Sequence, residues 1–430
     1  MSESKAAGPA AGGAEVASSP RSWAIAVVAL LIGAIGTYNQ ILVAALGTKI
    51  MDKELGLGIT EPQLSALMVA PLIGAVFLGL PSGNLGDRFG PTKVIAVAIA
   101  GTVAGTVLRI FADTYALAFV SMILIGLGAM VLQTNVAKLM SAWFKPSQIG
   151  MAVAMFMFGA AGGTGVAQAT GARFGSIQAA YTFAAVVTAV AFVLFILIVR
   201  DRPKGMAAPT AVDAAGAPEK SGAILKEVLS NPQVWLVGLA MVLFMGWQMV
   251  FATFLPTMLE VGKNLDSVTA GTYASAFAFG GLTGCIVCPA VAARLGRMKP
   301  VIMTGGLLAG VSAYLAWLLA PSFGFVIFIF LSGLGGAAVS CLVSTAPALL
   351  PSVGPARAGT AGGLMGTLAP LGGYVLPSLV VVPIASGNYT LMTILGAVII
   401  ALVFVVMIGV PEYGPRRSSK KQAAANPQPA

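Results

Sequence analysis

The chain has 430 residues, of which 58% are hydrophobic and only 9% charged. A soluble domain carries about 25% charged residues, so this chain cannot clothe its apolar atoms in its own polar surface. That composition excludes a soluble enzyme, a disordered chain and a nucleic-acid binder, and the net charge of +10 needs an explanation in membrane terms.

Residues 1–21 are rich in Ala, Gly and Ser and read as a disordered tail without the charged-then-apolar layout of a signal peptide. Twelve apolar runs follow, near 22–46, 63–83, 93–111, 115–140, 148–170, 177–199, 233–257, 269–292, 299–319, 323–346, 357–383 and 389–410. Each approaches the roughly 20 residues of helix that cross a hydrocarbon core about 30 Å thick. They are continuous, unlike the alternating segments of about 10 residues in a membrane barrel. Ala112-Asp113-Thr114 and Pro321-Ser322 read as very tight turns between neighbouring runs. Residues 200–232 form a polar linker that divides the chain into two six-span units, 22–199 and 233–410, and residues 411–430 form a basic tail. The sequence therefore predicts an all-α integral membrane protein, with twelve transmembrane helices in two pseudo-symmetric six-helix bundles.

The basic residues predict the orientation. With both termini cytoplasmic, only Lys49, Lys53, Arg109, Arg173 and Lys263 of the 24 Lys and Arg fall outside. The opposite orientation inverts that bias, against the rule that cytoplasmic loops hold the excess of Lys and Arg. The charge is thus a topology signal, and no nucleic-acid partner is needed. The expected location is the cell inner membrane.

The loop after the second span of each half carries an internal repeat. Gly83-Asn84-Leu85-Gly86-Asp87-Arg88-Phe89-Gly90-Pro91-Thr92-Lys93 is matched 206 residues on by Pro289-Ala290-Val291-Ala292-Ala293-Arg294-Leu295-Gly296-Arg297-Met298-Lys299, with Arg, Gly and Lys at the same offsets. Gly83-x-Leu85-x-Asp87-Arg88-x-Gly90 resembles the loop 2–3 signature of the major facilitator superfamily. The resemblance implies a gating role for Gly83, Asp87, Arg88 and Gly90, with the Asp87 carboxylate locking the two bundles in one state. Trp143-Phe144-Lys145-Pro146, the glycine run from Phe158 to Gly165, and Gly359-Thr360-Ala361-Gly362-Gly363-Leu364-Met365-Gly366 with Pro370 to Pro377 resemble the nitrate/nitrite porter and related oxalate/formate-like and cyanate-like anion porters. The chain departs from nitrate porters where they carry a span 2 and a span 8 arginine: Gly79 and Cys285 stand there, and neither neutralises an anion.

An ionised group near the bilayer centre costs about 2.5–3.5 kcal/mol on insertion scales and marks function. No span centre of this chain carries one, which argues against a buried carboxylate relay. Lys138 is the most interior cation, with an ordinary snorkelling lysine as the competing reading. Arg109 and Arg173, at the outer span ends, are read as steering anions inward. Uncharged candidates are Tyr38 and Gln40 in span 1, Gln133 in span 4, Trp247 and Gln248 in span 7 at a similar depth, and Tyr374 in span 11. Cys285-x-x-Cys288 reads as small-residue packing in a membrane helix.

The function expected is that of a monomeric, non-enzymatic secondary permease without cofactor. It moves a small solute, an inorganic or organic anion, by rocker-switch alternating access. A permease for a neutral or zwitterionic solute, or a non-transporting sensor or assembly protein of the same fold, are the alternatives.

Overall fold

The computed structural model describes residues 20–141, 143–144, 146–200, 226–346, 350, 353 and 358–413. It leaves undescribed the side chains of 74–84, 86–88, 133–134, 137–138, 141, 146–147, 149–151, 153–154, 358–360 and 362–363. Most of the expected terminal tails and of the 200–232 linker thus lie outside the described residues.

The described residues form twelve long helices and no strand. The first half contains α1 (Pro20–Ala45), α2 (Glu61–Phe89), α3 (Pro91–Ile110), α4 (Tyr115–Ser141), α5 (Pro146–Gly171) and α6 (Ile177–Ile198). The second contains α7 (Pro232–Gly262), α8 (Ser267–Leu295), α9 (Lys299–Leu318), α10 (Phe323–Val343), α11 and α12 (Tyr389–Ile408). α11 runs Ala358–Val375, passes through a π-helical turn at Leu376–Val381 and ends with Val382–Ala385. Pro377 sits in that turn, where it has no N–H to give to the ordinary helical ladder. Ten of the twelve are long and apolar enough to cross a membrane by length and composition; the others, α2 and α5, contain undescribed side chains. On α6, Val186, Val190, Val193 and Leu197 form an exposed apolar stripe at helical spacing, the face a bilayer covers.

One expected boundary is corrected. The Gly83–Phe89 signature is the end of α2, and the only break before α3 is Gly90. Gly90 has φ 90°, a conformation costly for any residue with a Cβ, and Pro91 opens the next helix with a φ already suited to it. The turn after α8 repeats this at Gly296, φ 64°, 206 residues later. The recurrence of Gly in the two sequence segments therefore has a backbone cause.

The packing is repeated between halves. α1 packs on α5, α2 on α4, α3 on α4 and α6, and α1 on α6; α7 packs on α11, α8 on α10, α9 on α10 and α12, and α7 on α12. The halves meet where α5 lies against α8 and, by the same relation, where α11 lies against α2, with α1 against α7 between them. Without a hydrophobic drive between helices in lipid, close backbone packing must hold such bundles. The glycine run of α5 supplies it: a Cβ at Gly159 or Gly163 would fall 2.1 Å from the Leu30 carbonyl oxygen or 2.0 Å from that of Ala34. The counterpart seam is Gly372 of α11, whose Cβ would fall 2.4 Å from the Val242 carbonyl oxygen of α7.

Among the described residues, five hydrogen bonds join the halves in the part of the helices remote from Gly90 and Gly296. Thr48 Oγ1 donates to Glu260 at 3.0 Å, Gln168 Nε2 to the Ala252 carbonyl at 2.9 Å, and Arg173 Nη2 to Thr272 Oγ1 at 3.4 Å. Ser65 and Ser378 share a hydrogen bond of 3.3 Å, and Tyr389 donates to Glu61. The protein is fastened across its halves on this face.

Candidate functional site

Beneath the Gln168–Ala252 bond, α5, α7, α8 and α10 enclose a cavity of about 90 Å³. Its polar lining is Thr164, Trp247, Gln248, Cys285 and Ser340, among small and aromatic residues, with no charged side chain among the lining residues. Trp247 is the centrepiece. It is 1% exposed and packs against Phe244, Phe251 and Phe277 with ring centroids 6.0, 5.8 and 5.2 Å away. Its slot depends on Gly336, where a Cβ would lie 2.2 Å from the indole. The indole N–H has no hydrogen-bond partner among the described residues. An indole can only donate, and an unsatisfied buried donor costs roughly 1–3 kcal/mol. The N–H atom is fully buried, so Trp247 meets the cavity through its ring, with an unpartnered donor behind it.

A second polar centre lies inside the first half. Arg109 is only 2% exposed, which corrects its reading as a solvent-facing steering group. Its Nη1 donates to the Asn39 carbonyl at 2.7 Å and its Nη2 to Asn39 Oδ1 at 2.9 Å, and the guanidinium lies 4.3 Å from the Tyr181 ring centroid. Asn39 is itself held by donating to Thr188 Oγ1 and to the Ile35 carbonyl, both at 2.9 Å. A guanidinium cannot shed its charge, so the carbonyl, amide and aromatic face stand in for water. Arg109 and Tyr181 also border a cavity of about 420 Å³ between the remote ends of α3, α4 and α6, rimmed by Glu54 and Asp113.

A model of the Major Facilitator Superfamily matches residues 22–377. The chain belongs to this superfamily. An uncharacterised protein of Archaeoglobus fulgidus is 32% identical over 187 residues, covering 43% of this chain and 83% of its own length. Among solved structures, a D-xylose-proton symporter aligns with TM-score 0.71 at 15% identity, over 91% of this chain and 98% of the other. A bacterial homologue of the human lysosomal transporter Spinster, in an inward-facing and unoccupied conformation, aligns with TM-score 0.68 at 14% identity, over 91% and 96%. At such identities these likenesses concern the fold alone.

Within this major facilitator fold, the structure brings together two of the sequence-derived candidates, Trp247 and Gln248. Tyr38 is elsewhere: its hydroxyl is 3.5 Å from Thr170 Oγ1 and its ring lies against Phe183, both in the first half. Gln40 and Tyr374 are half-buried and do not line the Trp247 cavity. The side chains of Gln133 and Lys138, and of Gly83, Asp87 and Arg88 in the last turns of α2, lie outside the described residues. Sequence reasoning missed Thr164, which sits inside the glycine run read only for packing, and it missed the Asn39–Arg109 pairing. Asn39 adjoins two chosen residues, but only tertiary structure reveals a partner 70 residues away. Among the described residues no three His, Cys, Asp or Glu side chains converge as a metal site.

Proposed function

We propose that this major facilitator protein is a secondary permease for a small anion, bound at the Trp247 cavity and carried by alternating access. The observation that carries the reading is a cavity lined by Gln248 and Ser340, which can donate, without a carboxylate, and by the ring of Trp247, whose buried N–H lacks a partner among the described residues and is a donor that solute binding would uncover. Lining donors with no carboxylate suit a solute rich in acceptor oxygens, such as a small carboxylate or oxyanion. The resemblance of the α5 and α11 glycine segments to anion porters points the same way. A neutral oxygen-rich solute is the second reading, favoured by the lack of a cation among the lining residues.

In this proposal residues 22–199 and 233–410 are the two moving bodies and 200–232 their linker. Both termini face the cytoplasm of an inner membrane, and the protein works as a monomer. The five cross-half bonds, from Thr48–Glu260 to Glu61–Tyr389, form the external gate, which must part when the solute enters from outside. Asp87, at the cytoplasmic end of α2, is the corresponding latch on the other side. Lys138 draws anions toward the inner vestibule.

The test is uptake of radiolabelled formate, acetate, oxalate and nitrate, with xylose and glycine betaine as neutral and zwitterionic controls, into proteoliposomes. Expected is saturable uptake of at least one anion, reduced at least tenfold by Trp247→Phe, which keeps the ring and removes the donor. Uptake of xylose or betaine alone transfers the proposal to its second reading, and uptake of none under any gradient overturns it.

A further inference from the structure

Cys285 of α8 and Cys341 of α10 bring their Sγ atoms to 3.2 Å, the Cys341 thiol donating to the Cys285 sulfur, and both are reduced. The Cys285-x-x-Cys288 spacing, read from sequence as small-residue packing, does not pair these two thiols. Cys288 instead turns into the helix interface, where its Sγ lies 3.7 Å from the Leu334 carbonyl oxygen.

The backbones around the Cys285–Cys341 pair are already close enough for a covalent bond. A Cβ at Gly280 would meet the Phe330 carbonyl oxygen at 2.0 Å, one at Gly284 the Leu334 carbonyl oxygen at 2.6 Å, and one at Gly333 the Phe277 carbonyl oxygen at 2.0 Å. A disulfide needs its sulfurs about 2.05 Å apart, so the two must close by only about 1 Å. The pair is also reachable. Cys285 is exposed and Cys341 half-exposed, and Cys285 lines the Trp247 cavity.

We propose that Cys285 and Cys341 form a peroxide-oxidisable dithiol, a modification site on the wall of the solute cavity. The Cys285 thiolate attacks one oxygen of hydrogen peroxide; the O–O bond breaks, a sulfenic acid forms, and with one proton taken up the other oxygen leaves as water. The Cys341 thiol then attacks the sulfenic sulfur, the S–O bond breaks, and its oxygen leaves as a second water carrying the thiol proton. Two thiols lose two electrons, and one peroxide becomes two waters. The product bond ties α8 to α10 within one half, so it does not fasten the halves together. It removes both S–H groups from the region of the cavity wall, and its effect falls on solute binding and not on gating.

The full-length protein in nanodiscs is treated with hydrogen peroxide, quenched with catalase, denatured, and analysed by thiol titration and peptide mass spectrometry. Expected is a fall from three titratable thiols to one, an intrachain Cys285–Cys341 peptide, and full recovery with dithiothreitol. Cys288→Ser should lose both remaining thiols, and Cys285→Ser should keep both. The wild-type cross-link alone decides the matter if a variant fails to fold. Three surviving thiols, a cross-link through Cys288, a cross-link between chains, or a Cys285 oxidised only to sulfinic acid each overturn the proposal.

Discussion

The two halves solve the same packing problem with opposite chemistry. The Leu30–Gly159 and Val242–Gly372 seams set α1 and α7 in register 212 residues apart, which places Asn39 opposite Phe251. Arg109 is the penultimate residue of α3 and Trp317 that of α9; Tyr181 is the fifth residue of α6 and Thr393 the fifth of α12. In the first half these places hold a guanidinium on an asparagine and a tyrosine, beside a cavity of about 420 Å³. In the second, Phe251, Trp317 and Thr393 leave about 10 Å³. Trp317 gives its indole N–H to Thr390 Oγ1 at 2.8 Å, so its polar need is met locally. One helical frame accepts a charged hub or an aromatic plug. The frame must therefore be set by something the halves share, and the glycine seams are shared.

Four tests sharpen or break that comparison. The largest effect is expected at the hub. Asn39→Leu removes the side-chain acceptor of a buried cation and should destabilise by about 3–5 kcal/mol, whereas Asn39→Leu with Arg109→Met should recover most of the loss. A double variant no better than the single one would mean that the charge itself organises the half. Next is the seam: Gly163→Ala places a methyl against the Ala34 carbonyl, and overpacking of this kind costs about 1–3 kcal/mol. If it is milder than the plug variant, the seam does not set the frame. Trp317→Phe, which keeps the plug and strips its hydrogen bond to Thr390, should cost about 1 kcal/mol. Thermal unfolding in detergent reads all three.

The smallest effect concerns the entry to α8. Asp266 caps that helix through the Thr269 N–H at 2.9 Å, and hydrogen bonds from Thr269 hold its carboxyl below the ordinary carboxylate range. A lowered folded-state pKa means that the contribution is present above the unfolded value and is lost as pH falls through the folded one. Asp266→Ala should therefore lower the melting temperature slightly at neutral pH and make no difference at the acid end, as a pH series of melting curves would show.

The spans were legible in the sequence because lipid demands long apolar runs, and α3, α4 and α6 begin or end within two residues of where hydropathy puts them. The end of α2 was not, since Gly83 to Phe89 is polar enough to look like a loop. Only the positive φ of Gly90 shows that the helix persists until a residue can turn. At the candidate site, Trp247 and Gln248 were legible as polar groups at depth. Their separation from Tyr38 was not: depth along a helix is readable from sequence, but the direction a side chain faces depends on neighbours such as Gly336 and Phe183. Arg109 was misread because a cation two residues from a span end usually faces water, and its buried acceptor lies on another helix.

The central proposal is that a solute crosses because the fastened face must part. Ser65→Cys with Ser378→Cys, in a chain whose native cysteines are Ser, replaces two hydroxyls 3.3 Å apart with thiols that can be cross-linked across the halves. Uptake of the radiolabelled anion panel is then measured in proteoliposomes before oxidation, after it, and after reduction. Expected is uptake of at least one anion in the reduced protein, none in the cross-linked protein, and recovery on reduction; equal uptake in the cross-linked and reduced states would contradict alternating access.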